Sequence, residues 1–194
     1  MRSPKPSPTT LTAILSLALS QAVIAIPSDL EAAKRLYIQG ARAFQEQNYE
    51  DAAELYEESL QKAWSEAVAA NLCNLHLYGL GVKKDYQAAL RHCEAAASAG
   101  NANAAVMLGE MHLHGRGVAP DLAKAGEYYL SAAKQDHPHA QLMIGLILWD
   151  SGTPLSMAKA KKWLRMAKAN GSPEADPYLK LLEDQLSTTY SDTK

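Results

Sequence analysis

The chain has 194 residues, with 19 Lys+Arg against 21 Asp+Glu and a formal net charge of −2. That balance argues against a nucleic-acid binder, which needs a clustered cationic footprint to neutralise phosphates, and two cysteines exclude a disulfide-dense miniprotein. A hydrophobic share of 47% with only 7% aromatics, much of it alanine, favours closely packed helices over a sheet carried by β-branched and aromatic residues.

In chain order, the first segment reads as a secretory signal. Met1–Thr10 carries Arg2 and Lys5 and no acid, and Leu11–Ile26 is mostly apolar, the layout of a charged n-region followed by an h-region. Val23-Ile24-Ala25 places cleavage after Ala25, with Ser20-Gln21-Ala22 as a second site. The run is short for a membrane span, which needs about 20 apolar residues, and no cysteine follows it to carry a lipid anchor. The expectation is an exported protein of the bacterial periplasm, possibly secreted, with no membrane span once residues 1–25 are removed.

Within residues 26–64, which the resemblance below reads as a first helical hairpin, Ser28 and Glu31 have the spacing of a capping box. A repeat follows. Asn71-Leu72-Cys73-Asn74-Leu75-His76-Leu77-Tyr78-Gly79-Leu80-Gly81-Val82 aligns with Met107-Leu108-Gly109-Glu110-Met111-His112-Leu113-His114-Gly115-Arg116-Gly117-Val118, with Leu72/Leu108, His76/His112, Gly79/Gly115, Gly81/Gly117 and Val82/Val118 all 36 apart. Asp85/Asp121 and Ala89/Ala125 keep that offset, and a weaker third copy places Ile144-Gly145 another 36 beyond Leu108-Gly109. Its connecting loop is one residue shorter, because Ala125 and Ala160 are 35 apart. The copies span 65–100, 101–136 and 137–171.

Each copy reads as two helices. Val106, Leu108, Met111 and Leu113 fit a largely buried first helix. Gly115 and Gly117 end it, since the residue past a helix often needs positive φ. Asp121 caps the second helix, where Ala125, Tyr129, Ala132 and Ala133 recur at helical spacing. One hairpin cannot bury both faces, so copies must stack and share a core. Ser172-Pro173 reads as N-cap and N1 of a last, polar capping helix over 172–186, and 187–194 as a frayed tail.

Leu108-Gly109, Gly115-Arg116-Gly117-Val118, Asp121, Ala125-Gly126-Glu127-Tyr128-Tyr129 and Ala132-Ala133 together resemble the Sel1-like repeat, a relative of the tetratricopeptide repeat. The first copy departs in Cys73 at the small position and His92-Cys93 at the aromatic pair. His76 and His112 stand where the family usually has Tyr, and the third copy keeps only Gly152 of the loop glycines. Gly40, Tyr49, Ala52, Ala53, Tyr56 and Leu60 look like a plain tetratricopeptide hairpin with a short Gln47-Asn48 turn. The resemblance implies an all-α, right-handed solenoid of stacked antiparallel hairpins. It also implies exposed first-helix positions on the concave face at Gln45, Asn74, Tyr78, Glu110, His114, Trp149 and Asp150.

Chemical motifs are sparse. His112-Leu113-His114 and His137-Pro138-His139 invite a metal reading, but side chains two apart on a helix point about 200° from each other. No Cys/His cluster has zinc spacing, so neither metal nor cofactor is expected. Ser131-Ala132-Ala133-Lys134 and Ser156-Met157-Ala158-Lys159 match Ser-x-x-Lys without the companion motifs of penicillin-recognising enzymes, and no catalytic residue is assigned. Cys73 and Cys93 both face the seam inside one hairpin; they read either as a disulfide of an oxidising compartment or as two buried thiols. By resemblance, the function is that of a non-enzymatic adaptor or assembly scaffold whose groove takes a peptide-like segment of another envelope or secreted protein. A weak β-lactam-binding hydrolase and a secreted factor acting on host proteins are the alternatives.

Overall fold

The computed structural model describes residues 28–191, so the proposed signal segment at 1–25 lies outside the described residues. Those described fold as nine α-helices: α1 (28–45), α2 (Tyr49–Lys62), α3 (Glu66–Tyr78), α4 (Tyr86–Ser98), α5 (Ala102–His114), α6 (Leu122–Ala133), α7 (Pro138–Asp150), α8 (Pro154–Ala169) and α9 (Ala175–Ser191). Each packs mainly against its sequence neighbours, as expected of an α-solenoid, where repeats touch only the repeats beside them. Odd-numbered helices are the first members of the hairpins and even-numbered helices the second. The core runs unbroken along the stack, with buried residues of α3, α4 and α5 in one cluster and those of α5, α6 and α7 in the next.

Equivalent positions close every hairpin, and in three of the four a small residue on the first helix lies against a large buried one on the second. A Cβ on Gly109 would stand 2.7 Å from the Tyr129 ring, one on Gly145 would stand 2.8 Å from Leu164, and one on Gly40 would stand 2.8 Å from Tyr56. Tyr129 and Leu164 are fully buried. In the α3–α4 hairpin the equivalent positions are Cys73 and Cys93, and there a disulfide joins the two helices, with Cα atoms 5.3 Å apart. Beside this contact a ring pair recurs at the same offset. His76 stacks on His92 at 5.7 Å and His112 on Tyr128 at 5.5 Å.

The loops follow the expected chemistry in the first two copies. Gly79 and Gly115 terminate α3 and α5 in the left-handed region, with φ of 71° and 67°. Asp85 and Asp121 cap α4 and α6 by accepting from backbone N–H groups of the first turn. The third copy differs. Only Ser151, Gly152 and Thr153 separate α7 from α8, and α8 begins a turn early behind a Thr153–Ser156 capping box. The last helix also departs from 172–186. It starts at Ala175, because a start at Pro173 would put Pro177 in the helix interior, where its missing N–H and its ring are not tolerated. It runs on to Ser191 because neither Gly nor Pro follows Gln185 to stop it.

Gly109→Ala is expected to destabilise the fold by about 1–3 kcal/mol by overpacking against Tyr129. Gly126→Ala, at a helical position with open space around it, should instead stabilise by up to about 1 kcal/mol. Urea unfolding midpoints of the two variants check both signs. Reducing the Cys73–Cys93 disulfide, which spans 20 residues, should cost about 3 kcal/mol in the same assay.

Candidate interaction groove

A groove of about 440 Å³ opens between the first helices α3 and α5, with Tyr37 of α1 at one side. Tyr78, Val106 and Met107 give it apolar walls, and Asn71, Asn74, Asn101 and Asn103 give it four amides. Two of these are committed to the fold. Asn101 Oδ1 accepts from Ala104 N as the cap of α5, and Asn103 Oδ1 pairs with His137 Nε2 at 3.0 Å. The side chains of Asn71 and Asn74, half-buried on α3, hydrogen-bond to nothing among the described residues. An Asn amide offers an acceptor and two donors side by side, the complement of a peptide group on an extended chain.

The groove takes in only some of the positions inferred from sequence. Asn74 and Tyr78 line it. Glu110 sits at its end, where the Tyr78 hydroxyl donates to Glu110 Oε2 at 2.9 Å. Arg116 approaches the same oxygen at 3.7 Å and lies 5.9 Å over the Tyr78 ring. His139 Nε2 stands 3.9 Å from Glu110 Oε1. The phenol of Tyr129 lies buried beneath without a hydrogen-bond partner, and burial, with Glu110 close by, pushes its pKa upward. His114, Asp150 and Gln45 are exposed elsewhere along the first helices, and Trp149 donates its indole N–H to Gln185 Oε1 at 2.9 Å, tying α7 to α9. The groove residues that sequence reasoning missed, Asn71 with Met107 and Ala67 with Asn103, are pairs at the repeat offset of 36. They lie one and two turns nearer the helix N-termini than Asn74 and Glu110.

The residues of the short chemical motifs have structural occupations. Ser156 is buried and its hydroxyl donates to Thr153 O while accepting from Thr153 N, so it serves the capping box. Ser131 and Lys134 are both exposed around the end of α6. Among the described residues no three His, Cys, Asp or Glu side chains gather in a metal-holding group, and no helix is long and apolar enough to cross a membrane.

The Sel1 repeat model matches residues 20–43, 32–62, 67–101, 102–137 and 138–172, taking in the first hairpin as well as the three copies that follow. Among solved structures, the chain resembles a Sel1 repeat protein from Oxalobacter formigenes with a TM-score of 0.68 and 28% identity, over 77% of this chain and 61% of that one. A protective antigen of uropathogenic Escherichia coli displaying an SLR fold superposes with a TM-score of 0.68 at 23% identity, over 76% of this chain and 32% of that one. The chain thus spans less than two thirds of either. No curated protein matches the sequence.

His137 links this surface to pH. It is the N-cap of α7, and its Nδ1 accepts from Ala140 N while Nε2 faces Asn103 Oδ1. Both bonds at once require the neutral ring with its proton on Nε2. Burial, then the neighbouring His139, holds the His137 pKa below the usual histidine range. The unfolded chain therefore takes up its proton first, and the cap's contribution is complete above about pH 6.5 and lost as pH falls below it. His137→Asn keeps an acceptor at the cap and should flatten this part of the decline in urea midpoint between about pH 7.5 and 5. An unchanged slope would remove His137 from the account.

Proposed function

Since this chain belongs to the Sel1 repeat family, whose fold generally mediates protein–protein interaction, we propose that it is a non-enzymatic adaptor that binds an extended segment of another extracytoplasmic protein in the groove between α3 and α5. Sel1 repeat proteins are generally scaffolds without enzymatic activity. The observation that carries the reading is the pair of unpartnered amides at Asn71 and Asn74, set between the apolar walls of Tyr78 and Met107. Such a groove can pair with a peptide backbone through its amides and take an apolar side chain against its walls. Its size favours a segment of a few residues over a globular surface.

The extracytoplasmic setting is supported by two features. The N-terminal run has the layout of an export signal, and the Cys73–Cys93 bridge is the kind of bond that persists in oxidising compartments. The partner is an envelope or secreted protein in this reading.

Selection of short peptides on the purified chain is expected to yield binders that contact the groove. Asn71→Ala combined with Asn74→Ala should weaken them by about tenfold or more, since each net hydrogen bond contributes about 1 kcal/mol. Thermal stability should stay within about 0.5 kcal/mol of the parent, because both amides are unpartnered in the free protein. Equal binding by parent and variant would remove the groove from the proposal.

A further inference from the structure

The second helices carry a strong polarity of charge. Within Tyr49–Lys62, α2 holds Glu50, Asp51, Glu54, Glu57 and Glu58 against Lys62, a net charge of −4. In α4, Arg91 balances Glu94, and in α6, Lys124 balances Glu127. Within Pro154–Ala169, α8 holds Lys159, Lys161, Lys162, Arg165 and Lys168 and no acid, a net charge of +5. Part of this is met inside the molecule, where Lys161 and Arg165 pair with Glu183 and Lys168 with Asp176 of α9. Lys159 and Lys162 are exposed and form no ion pair among the described residues, and the same holds for Glu50, Glu54, Glu57 and Glu58. The outer face of α8 also offers a shallow groove floored by Ala158, Met166 and Ala169 with Lys162 and Arg165 at its rim.

The two charged faces cannot meet within one chain, because the hairpins α3–α4 and α5–α6 stand between them. They are complementary between chains. We infer that the basic outer face of α8 docks the acidic outer face of α2 in a second copy of this chain. Both are second helices of their hairpins, and a two-fold arrangement of two copies would pair each α8 with the other's α2. Such a contact is the same on both partners and closes on itself as a two-fold dimer. A single helix-on-helix contact falls short of the roughly 1,200 Å² that a stable interface buries; the reciprocal pair doubles it. Charges at an exposed interface of this kind set the orientation and the encounter rate more than the strength, so the dimer is weak and sensitive to salt. The surface lies away from the α3–α5 groove, and the inference stands independently of that reading.

Sedimentation velocity on the purified chain tests it. The parent should self-associate with a Kd of about 10–100 µM at low salt, weakening at least about tenfold near 0.5 M salt, where screening shortens to a few ångströms. Lys159→Glu with Lys162→Glu should be monomeric alone, and so should Glu54→Lys with Glu58→Lys, each keeping the parent's helical circular dichroism. Mixing the two variants restores both complementary contacts, and a one-to-one dimer should reappear. A parent that is monomeric at every salt overturns the inference, as do reversals that leave association unchanged or mixing that restores nothing. A monomeric parent that binds anionic lipid vesicles through Lys159 and Lys162 would assign the face to a membrane surface instead.

Discussion

The closest approach of the two helices inside each hairpin sets the geometry on which the rest of the solenoid depends. At that point the first helix contributes almost no side chain, and the second fills the space with a large one, as Gly109 with Tyr129 or Gly145 with Leu164. Close-packed interiors make such a contact intolerant of even one added methyl. The α3–α4 hairpin replaces the pair with a disulfide between Cys73 and Cys93. A cross-link between two small side chains then holds the seam that a glycine and an aromatic ring hold in the neighbouring hairpin. What is kept between copies is the filled seam; the chemistry that fills it varies.

Glycine in the loops fixes the next level, the stacking of one hairpin on another. Gly117, at φ 77°, adopts a conformation that L side chains rarely reach, and a Cβ there would also press on Tyr86 at 2.6 Å. Gln87 Nε2 donates to the carbonyl of Gly117 at 2.8 Å. The loop of one repeat thus rests on the start of the preceding repeat's second helix. Gly81 makes the corresponding approach to the backbone of Tyr49 and Glu50 at the start of α2. The first glycine of each loop thus ends the helix and the second sets the register against the preceding repeat, which explains why both recur with the same offset.

The parts of this architecture that repeat were the parts legible in the sequence. A 36-residue offset carries helix, loop, cap and core positions together, so a match at several of them fixes the hairpin. The third copy breaks that offset in its loop, and the marks of helix ends and caps go with it. A single Gly152 gave no sign that α8 would begin a turn early behind Thr153. The start of α9 was decidable in principle, since Pro177 forbids a helix beginning at Pro173. His137 stands 36 residues beyond the cap residue Asn101, so its role was also present in the repeat, hidden by the rarity of imidazole caps. The groove was the least legible feature. Exposure along a first helix can be counted from periodicity, but which stretch of two neighbouring helices stays apart depends on the side chains that bridge them.

Those bridges explain why the groove opens where it does. Toward the C-terminal ends of α3 and α5, the Tyr78 hydroxyl reaches across to Glu110, and Arg116 lies against both. That polar cluster spans the two helices and fills the space between them. Nearer the helix N-termini the facing residues are short, with Ala67, Ala70 and Asn71 opposite Asn103 and Val106, and nothing spans the gap. A buried polar group without a partner is costly, yet the half-buried amides of Asn71 and Asn74 meet no protein group and depend on solvent for their hydrogen bonds. A ligand that offers both a donor and an acceptor along an extended backbone can replace that solvent without leaving either amide unsatisfied. The same short side chains that leave the helices apart leave the groove open, and the bridge between Tyr78 and Glu110 closes it at one end.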